Sequence, residues 1–294
     1  QREFVSLTRQ HPDNAQWQKL VRFTRGGYWR NFRTRYSESH EMYARMIGIS
    51  NRLARLAASE DSDPQRRDLL QAARTHLHRG QCNCSYWHGA FGGLYLPHLR
   101  NAVYAELIRA DNLLEQFVRG DSAWVDVEVG DLNMDARPEV RLSNQKLSAT
   151  FAPACGGHMY ELDLRTNAVN LLATLNRRPE PYHQRILDYV ANAGNVSGEE
   201  LASISRDVRF RQPDLDRRIQ YDHWPRKSFV DHFLRPRLTL PEFRRNEGVI
   251  GDFAVGEWEA GVRKGERRIL LELERAGQAG GLSGRVRKTV AISA

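Results

Sequence analysis

Hydrophobic residues between positions 42 and 117 recur at the spacing of one face of an α-helix. The first stripe, with intervals of four and three residues, consists of Met42, Met46, Ile49, Leu53 and Leu56. This spacing predicts an amphipathic helix. Ser37 or Ser39 is the predicted N-cap, because a serine hydroxyl can accept a hydrogen bond from a free backbone amide of the first turn.

Two more helices are predicted before residue 120. The second begins with Asp63 as N-cap and Pro64 in the first turn, and it ends near Gly80. The third follows Pro97, and its apolar stripe consists of Leu99, Val103, Leu107, Ala110, Leu114 and Phe117. Three amphipathic helices have to bury their stripes against one another, so residues 1–120 are predicted to form a three-helix bundle.

After Gly120 the hydrophobic period changes from about 3.6 residues to two. Apolar and polar residues alternate in four runs that begin at Val125, Val140, Leu147 and His158. Further strands are predicted at 228–234 and 286–292. Short alternating runs separated by turn residues predict an antiparallel β-sandwich for residues 121–294. The chain as a whole is therefore predicted to be an α+β protein.

Composition excludes several classes of protein. The chain has 294 residues, of which 40% are hydrophobic, so it can bury a sizeable core and is not predicted to be disordered. It has no apolar run long enough for a transmembrane helix and no visible secretion signal. Three cysteines are too few for a disulfide scaffold, which favours a reducing, cytoplasmic location.

The formal net charge of +8 raises the possibility of nucleic-acid binding. Arginine accounts for 39 of the 44 basic residues, and most of these arginines are interleaved with acidic residues. A nucleic-acid interface needs a basic patch instead. Neither a nucleic-acid partner nor a membrane partner is therefore predicted.

The segment between the second and third helices, Gln81 to Arg100, has an unusual composition for a connection. Its first part is rich in Trp, Tyr, His and Asn, and its middle is rich in glycine. Aromatic faces stack on flat ligands, and amide side chains both donate and accept hydrogen bonds, as sugar hydroxyls do. One interpretation is a loop that binds a polar ligand, with carbohydrate as the first choice. The other is that the aromatic residues close the end of the bundle.

This segment resembles the fifth signature region of glycoside hydrolase family 57, which contains α-amylases and 4-α-glucanotransferases. The matching residues are Gln81, Asn83, Tyr86, Trp87, His88, Gly89, Phe91, Gly92, Gly93, Leu96, Pro97, His98, Leu99 and Arg100. A second block resembles the family segment upstream of that region and consists of residues 25–32 with Tyr36, Glu38, Ser39 and Met46. Further matches, among them Asn144, Gly156-Gly157, Arg178-Pro179-Glu180 and the run 228–234, resemble its C-terminal β-domain.

The resemblance implies a retaining α-glucan-processing enzyme whose catalytic glutamate and aspartate lie in an N-terminal barrel. Neither carboxylate motif occurs in this chain, so the chain alone is predicted to be inactive. Residues 1–120 would be the middle domain after the missing barrel. Residues 121–294 would be an incomplete C-terminal β-sandwich, a supersandwich of the galactose-mutarotase type. Gln1 at the start and a strand near the end also predict a chain truncated at both ends.

The resemblance further implies that the loop Gln81–His88 supplies one wall of a cleft for α-1,4-glucan or a maltooligosaccharide. Trp87 would stack on a glucose ring, and His88 and Asn83 would bind hydroxyls or orient their neighbours. Gln81 and Tyr86 would support the loop. At Cys84 the chain departs from the common pattern, which has aspartate there and a charge that a neutral thiol lacks. The alternative function is a non-catalytic carbohydrate-binding or structural accessory module.

No cofactor is predicted, but two groups of residues resemble metal ligands. Calcium is considered because alternating oxygen donors occur at Asp131, Asn133, Asp135 and Glu139. Ala136 stands where a calcium loop needs glycine, and a turn between two strands explains the same residues. Zinc is disfavoured because Cys82 and Cys84 have only one residue between them.

Overall fold

The computed structural model describes residues 29–58, 63–88, 92–192 and 216–294. Within these ranges the helices are α1 (Trp29–Arg35), α2 (Ser37–Ala57), α3 (Pro64–Gly80), α4 (Pro97–Arg119), α5 (Pro181–Asn192) and α6 (Leu240–Arg244). Short 3₁₀ turns lie at Asn83–Ser85, Gly93–Tyr95 and Asp216–Arg218. Residues 25–28 and 89–91 of the family resemblance lie outside the described residues.

The three predicted helices are confirmed as α2, α3 and α4. Asp63 caps α3, since its carboxylate accepts a hydrogen bond from the Gln65 amide at 2.9 Å. The predicted serine cap of α2 is wrong. Tyr36 occupies the N-cap position without a side-chain capping bond, and Ser39 Oγ donates to the Tyr86 carbonyl instead. Helix α1 was not predicted from the sequence.

The helices pack around one hydrophobic core. Their apolar stripes meet in a buried cluster that includes Met42, Ile49, Leu77, Leu94, Leu107, Leu114 and Phe117. Ala168, in the turn before the last strand of the first sheet, is part of the same cluster. The helical core therefore extends to the β part of the chain.

Eight strands form two antiparallel sheets within the described residues. They are β1 (Val125–Gly130), β2 (Glu139–Asn144), β3 (Leu147–Ala152), β4 (His158–Leu164), β5 (Val169–Asn170), β6 (Glu259–Lys264), β7 (Arg268–Ala279) and β8 (Leu282–Ser293). The first five follow one another in order across one sheet, and the last three form the second. All their pairings are antiparallel, with β1 to β2 in register from Val125↔Asn144 to Gly130↔Glu139.

The α+β fold class is confirmed, with helices first and antiparallel sheets after them. The four alternating runs correspond to β1–β4, and the run 286–292 lies within β8. The strand predicted at 228–234 is wrong. This segment forms only isolated bridges, from Ser228 to Met159 and from Leu234 to Val249, so its backbone pairing does not extend into a ladder.

Residues of both sheets share a second hydrophobic core. Phe151 and Leu142 from the first sheet lie in one cluster with Ile269, Leu271 and Leu273 from the second. Among the described residues, no helix is both long and apolar enough to cross a membrane.

A buried ionic network joins the helices to the first sheet. Arg45 on α2 lies 3.0 Å from Asp111 on α4, 3.3 Å from Glu161 and 3.4 Å from Asp163, both on β4. Arg165 also contacts Asp111 at 3.0 Å. This network fixes the position of β4 against the bundle. That position matters because the loop Gln81–His88 is attached to α2, α3 and α4 of the bundle.

Candidate functional site

The loop Gln81–His88 follows the end of α3 and is held by buried hydrogen bonds. Tyr86 is buried, and its hydroxyl donates to the Gly80 carbonyl at 2.7 Å. Ser39 on α2 donates to the Tyr86 carbonyl at 2.5 Å. Ser85 donates to the carbonyl of Leu99 at 3.0 Å. The loop backbone is thereby attached to α2, α3 and α4.

A close backbone approach fixes the far end of the loop. The Leu94 amide donates to the Trp87 carbonyl at 2.8 Å. Gly93, with φ +45°, lies against this bond, and a Cβ atom there would stand 2.0 Å from the Trp87 oxygen. Only glycine has room for this contact and tolerates this backbone conformation. The sequence Gly92-Gly93 is therefore required to place Trp87 and His88.

The loop presents aromatic and polar side chains to solvent. The Trp87 residue is 44% exposed, and Asn83, Cys84 and Gln81 are exposed as well. The Cys84 thiol donates to Asn83 Oδ1 at 3.5 Å. An exposed indole beside amide groups suits a ligand with flat apolar faces and hydroxyl edges.

His88 belongs to a hydrogen-bonded cluster from four separate segments. Its Nε2 lies 2.5 Å from Tyr36 Oη, and the Tyr36 hydroxyl donates to Glu180 Oε1 at 2.5 Å. The Tyr95 hydroxyl donates to the same carboxylate oxygen at 2.5 Å. Arg35 Nη2 lies 3.2 Å from Glu180 Oε2. Glu180 is therefore a shared acceptor beneath the loop.

Ring contacts restrain His88 further. Phe32 stacks on Tyr36 with ring centroids 4.3 Å apart. The His88 ring lies 5.5 Å from Phe32 and 5.0 Å from Tyr95. Burial lowers the pKa of His88, which keeps the imidazole neutral, although Glu180 opposes this shift. Burial and the bond to Glu180 raise the pKa of Tyr36 to about 12 and also raise the pKa of Tyr95.

Sequence reasoning selected the loop residues but did not select Tyr36, Tyr95, Arg35 or Glu180 as site residues. Tyr36 and Glu180 are 144 residues apart, and no local pattern connects them. Both stand in the segments that carry the family resemblance, which was the one signal that could have found them.

The calcium candidate forms a compact turn between β1 and β2. The ligand atoms of Asp131, Asp135 and Glu139 lie within 4.8 Å of one another, and such oxygen donors suit calcium. The same oxygens also accept backbone hydrogen bonds. Glu139 Oε2 accepts from the Leu132 and Asn133 amides, and Asn133 Oδ1 accepts from the Asp135 amide. The oxygen acceptors of the turn are therefore already hydrogen-bonded to backbone amides of the same turn.

Zinc ligands are not assembled around the cysteines. In the part of the chain that the structure describes, the acidic turn is the only group of three or more side chains placed to hold a metal ion. Cys82 and Cys84 are free and exposed.

Two family models match the two parts of the chain that contribute residues to the cluster around His88. The family model described as "Alpha-amylase/4-alpha-glucanotransferase, middle domain" matches residues 27–114, which contain the loop and Tyr36. The model "Alpha-amylase/4-alpha-glucanotransferase, C-terminal" matches residues 131–294, which contain Glu180.

The chain belongs to the α-amylase/4-α-glucanotransferase family. The resemblance found in the loop is thereby confirmed. A relative named 4-alpha-glucanotransferase from Thermococcus kodakarensis is 33% identical over 99% of this chain and 40% of its own length. A second, named Alpha-amylase 1, from Dictyoglomus thermophilum, is 29% identical over 92% of this chain and 36% of its own length.

A solved member of the family has the same fold. The crystal structure of 4-alpha-glucanotransferase from Thermococcus litoralis superposes with a TM-score of 0.69 at 29% identity. It covers 97% of this chain, but only 37% of that protein is matched. The chain thus spans about two fifths of the length of the curated family members that it matches.

Proposed function

We propose that this chain forms one wall of the substrate cleft in a retaining enzyme that hydrolyses or transfers α-1,4-glucan. The observation that carries the proposal is the placement of Trp87. Its indole is exposed, while its backbone is fixed by the close approach of Gly93 and its neighbour His88 is held by Tyr36. The names of the relatives, an amylase and a glucanotransferase, support glucan as the ligand.

Each loop residue has a proposed role. Trp87 stacks on a glucose ring, because an exposed indole offers a flat apolar face. Asn83 and His88 bind hydroxyls, and Gln81 and Cys84 flank them on the exposed side. Tyr86 supports the loop from below, where its hydroxyl binds the Gly80 carbonyl.

The catalytic carboxylates are proposed to lie in an N-terminal barrel of the same polypeptide. Glu180, the carboxylate of the cluster described above, is engaged by two phenols and by Arg35. A carboxylate held in this way is not placed to attack a sugar or to protonate a leaving group. We therefore propose that the chain alone neither hydrolyses nor transfers glucan.

Two further features of the parent protein are proposed. The shared core of the two sheets supports a two-layer β-sandwich, which we assign to the supersandwich, galactose-mutarotase-like type. Cys82, Cys84 and Cys155 are all free and exposed thiols, which supports a reducing, cytoplasmic location.

The test is calorimetric titration of maltoheptaose into this chain and into the chain joined to a barrel of the family. Trp87→Ala is expected to weaken binding about tenfold or more, because one stacked aromatic contact and its buried area are lost. Leu234→Ala is the control, since Leu234 is 43% exposed and lies in the β part. Release of reducing sugar is measured on the joined protein.

The outcomes separate the candidate functions. The chain alone could bind maltoheptaose and lose this binding in Trp87→Ala, while the joined protein is inactive. That combination favours the alternative of a carbohydrate-binding accessory module. Activity of the joined protein that falls with Trp87→Ala supports a shared cleft. If Trp87→Ala and Leu234→Ala have the same binding and activity as the unchanged protein, the loop is not a glucan site.

A further inference from the structure

We infer that Glu180 is a positioning residue that sets the hydrogen-bond polarity of His88. Acting through Tyr36, it holds the ring proton on His88 Nε2 and leaves Nδ1 as an acceptor for a glucan hydroxyl. The hydroxyl contact rests on the proposed function, whereas the position of the ring proton does not.

Glu180 acts as a hydrogen-bond acceptor for two tyrosines. Its side chain is buried, its Oε1 receives the hydroxyls of Tyr36 and Tyr95, and its Oε2 faces Arg35. The Arg35 guanidinium lies 3.2 Å from Oε2 as the counter-ion of this carboxylate. A carboxylate paired with arginine has no proton to donate, so both phenols donate to it.

Tyr36 has a single hydroxyl proton to share between Glu180 and His88. Burial and Glu180 raise the pKa of Tyr36 to about 12, so the phenol keeps its proton at neutral pH. That proton is committed to Glu180. The Tyr36 oxygen can then only accept from His88 Nε2, which lies 2.5 Å away. His88 Nε2 must therefore carry a hydrogen.

The other ring nitrogen of His88, Nδ1, carries no proton when the ring is neutral and Nε2 is protonated. Burial lowers the pKa of His88, and the neighbouring Arg35 and Arg178 lower it further, while Glu180 opposes them. A neutral imidazole has one N–H, so a proton on Nε2 leaves Nδ1 bare. Within the described ranges, Nδ1 has no hydrogen-bond partner. A bare ring nitrogen accepts a hydrogen bond from a sugar hydroxyl.

This arrangement makes the loop depend on the β part of the chain. Glu180 lies in the region matched by the C-terminal family model, and His88 lies in the region matched by the middle-domain model. Tyr36, at the start of α2, is the link between them. The donor and acceptor pattern of the sugar wall is therefore set from outside the helical region.

The position of the ring proton can be read by nitrogen NMR of the ¹⁵N-labelled 294-residue chain near neutral pH. Signals of His88 are assigned from their loss in His88→Gln. We expect a protonated Nε2 and an unprotonated Nδ1. In Glu180→Gln the new amide can donate to the Tyr36 oxygen, so the Tyr36 proton is free to bond Nε2. The His88 proton is then expected to move partly or wholly to Nδ1.

Tyr95→Phe is the matched control. It removes the other phenol from the same Glu180 oxygen and leaves the bond between Tyr36 and His88 intact. The ring-nitrogen signals are expected to stay as in the unchanged chain. Tyr36→Phe is a second variant that removes the acceptor of Nε2, and it should also abolish the preference for one tautomer. Circular dichroism checks that each variant is folded.

Two results would overturn the positioning role. One is a proton on Nδ1 in the unchanged chain, and the other is an unchanged tautomer in both Glu180→Gln and Tyr36→Phe.

The sugar contact has its own test. Glu180→Gln should weaken maltoheptaose binding about fivefold, which corresponds to one hydrogen bond. Tyr95→Phe should not weaken it. A moved proton with unchanged affinity overturns the hydroxyl contact. A wild-type loop that binds no glucan, alone or joined to a barrel, overturns the proposed function, and the spectra still decide the position of the proton.

Discussion

Cys84 is the position where a single side chain is expected to change the affinity of the loop. In Cys84→Asp a carboxylate replaces a weak thiol donor, and a carboxylate accepts hydrogen bonds from sugar hydroxyls. Because Cys84 is exposed, the substitution should leave the unfolding temperature almost unchanged. We expect maltoheptaose to bind about fivefold more tightly, measured by calorimetry.

Cys82→Asp is the control for this prediction. Cys82 is also exposed and stands two residues away, so it tests whether any added negative charge in the loop has the same effect. Equal changes in affinity for both variants would contradict a specific contact at position 84.

Gly93 is expected to be intolerant of any side chain. Gly93→Ala places a Cβ atom 2.0 Å from the Trp87 carbonyl oxygen and strains a backbone with φ +45°. The loop must shift, so we expect a loss of about 2 kcal/mol or more in the free energy of unfolding and loss of glucan binding. Urea unfolding and calorimetry measure the two effects.

Gly48→Ala provides the comparison for Gly93→Ala. Gly48 lies inside α2 with no atom within 4 Å of a new Cβ. Alanine is the better helix former, so this variant should gain about 0.5–1 kcal/mol. A loss at position 93 no larger than a few tenths of a kcal/mol would show that the loop backbone is not fixed there.

At the scale of elements, the ionic network centred on Arg45 is expected to be the main polar support between α2, α4 and β4. Burial alone would raise the pKa of Asp111, but Arg45, Arg165 and Arg52 lower it below its ordinary value. Arg45→Met leaves the buried acidic residues Glu161 and Asp163 of β4 without the arginine that contacts them, whereas Asp111 keeps its contacts with Arg52 and Arg165. We expect a loss of about 3–5 kcal/mol in the free energy of unfolding, measured with urea.

Arg55→Met is the matched control for the network. Arg55 lies on the same helix but is exposed, so its replacement should change stability by less than about 0.5 kcal/mol. Similar losses for both variants would mean that the network contributes no more than a surface charge.

The elements that could be predicted are those in which hydrophobic and polar residues alternate with a clear helical or strand period. Helices α2–α4 and strands β1–β4 each carry enough regular residues to be recognised. Strands β5 and β6 were not predicted, because β5 has only two residues and β6 contains mostly exposed ones. Strand β7 was not predicted either, although Ile269, Leu271 and Leu273 alternate at its start. The segment 228–234 looks like a strand, yet partners from distant segments hold it, such as Lys288, which contacts Asp231 at 2.5 Å. Contacts between residues far apart in the sequence also place Glu180 beneath the loop. Such contacts cannot be read from a local sequence pattern.

At the scale of the whole molecule, the helical and β parts are closely connected. The division into residues 1–120 and 121–294 remains our prediction. The family models match 27–114 and 131–294, on either side of that point. The contacts of Arg45 with β4 and of Tyr36 with Glu180 cross it. A site built from both parts requires their relative position to be fixed, and the buried network supplies that constraint.

The pH dependence of global stability follows from Glu139, the innermost residue of the acidic turn. Glu139 is 1% exposed, and burial together with Asp135 and Asp131 raises its pKa from 4.5 to about 7. Since the folded state binds this proton more tightly, Glu139 adds stability below pH 4.5 that is lost as the pH rises through 7. Between these two pH values, the free energy of unfolding of the unchanged chain should fall by at most about 3 kcal/mol relative to that of Glu139→Gln. Urea unfolding with a chelator present measures this difference.

Calcium turns the same experiment into a test of the metal interpretation of this turn. A bound cation favours the ionised carboxylate, so it would lower the pKa of Glu139 toward 4.5 and remove the loss of stability with rising pH in the unchanged chain. Magnesium at the same concentration is the control, because it prefers a stricter octahedral site with several waters. The backbone hydrogen bonds already made by Asp131, Asn133 and Glu139 lead us to expect that neither ion changes the curve. A calcium-specific shift that disappears in Glu139→Gln would instead identify the turn as a calcium site. Identical pH profiles for Glu139→Gln and the unchanged chain would show that Glu139 does not keep its proton in the folded protein.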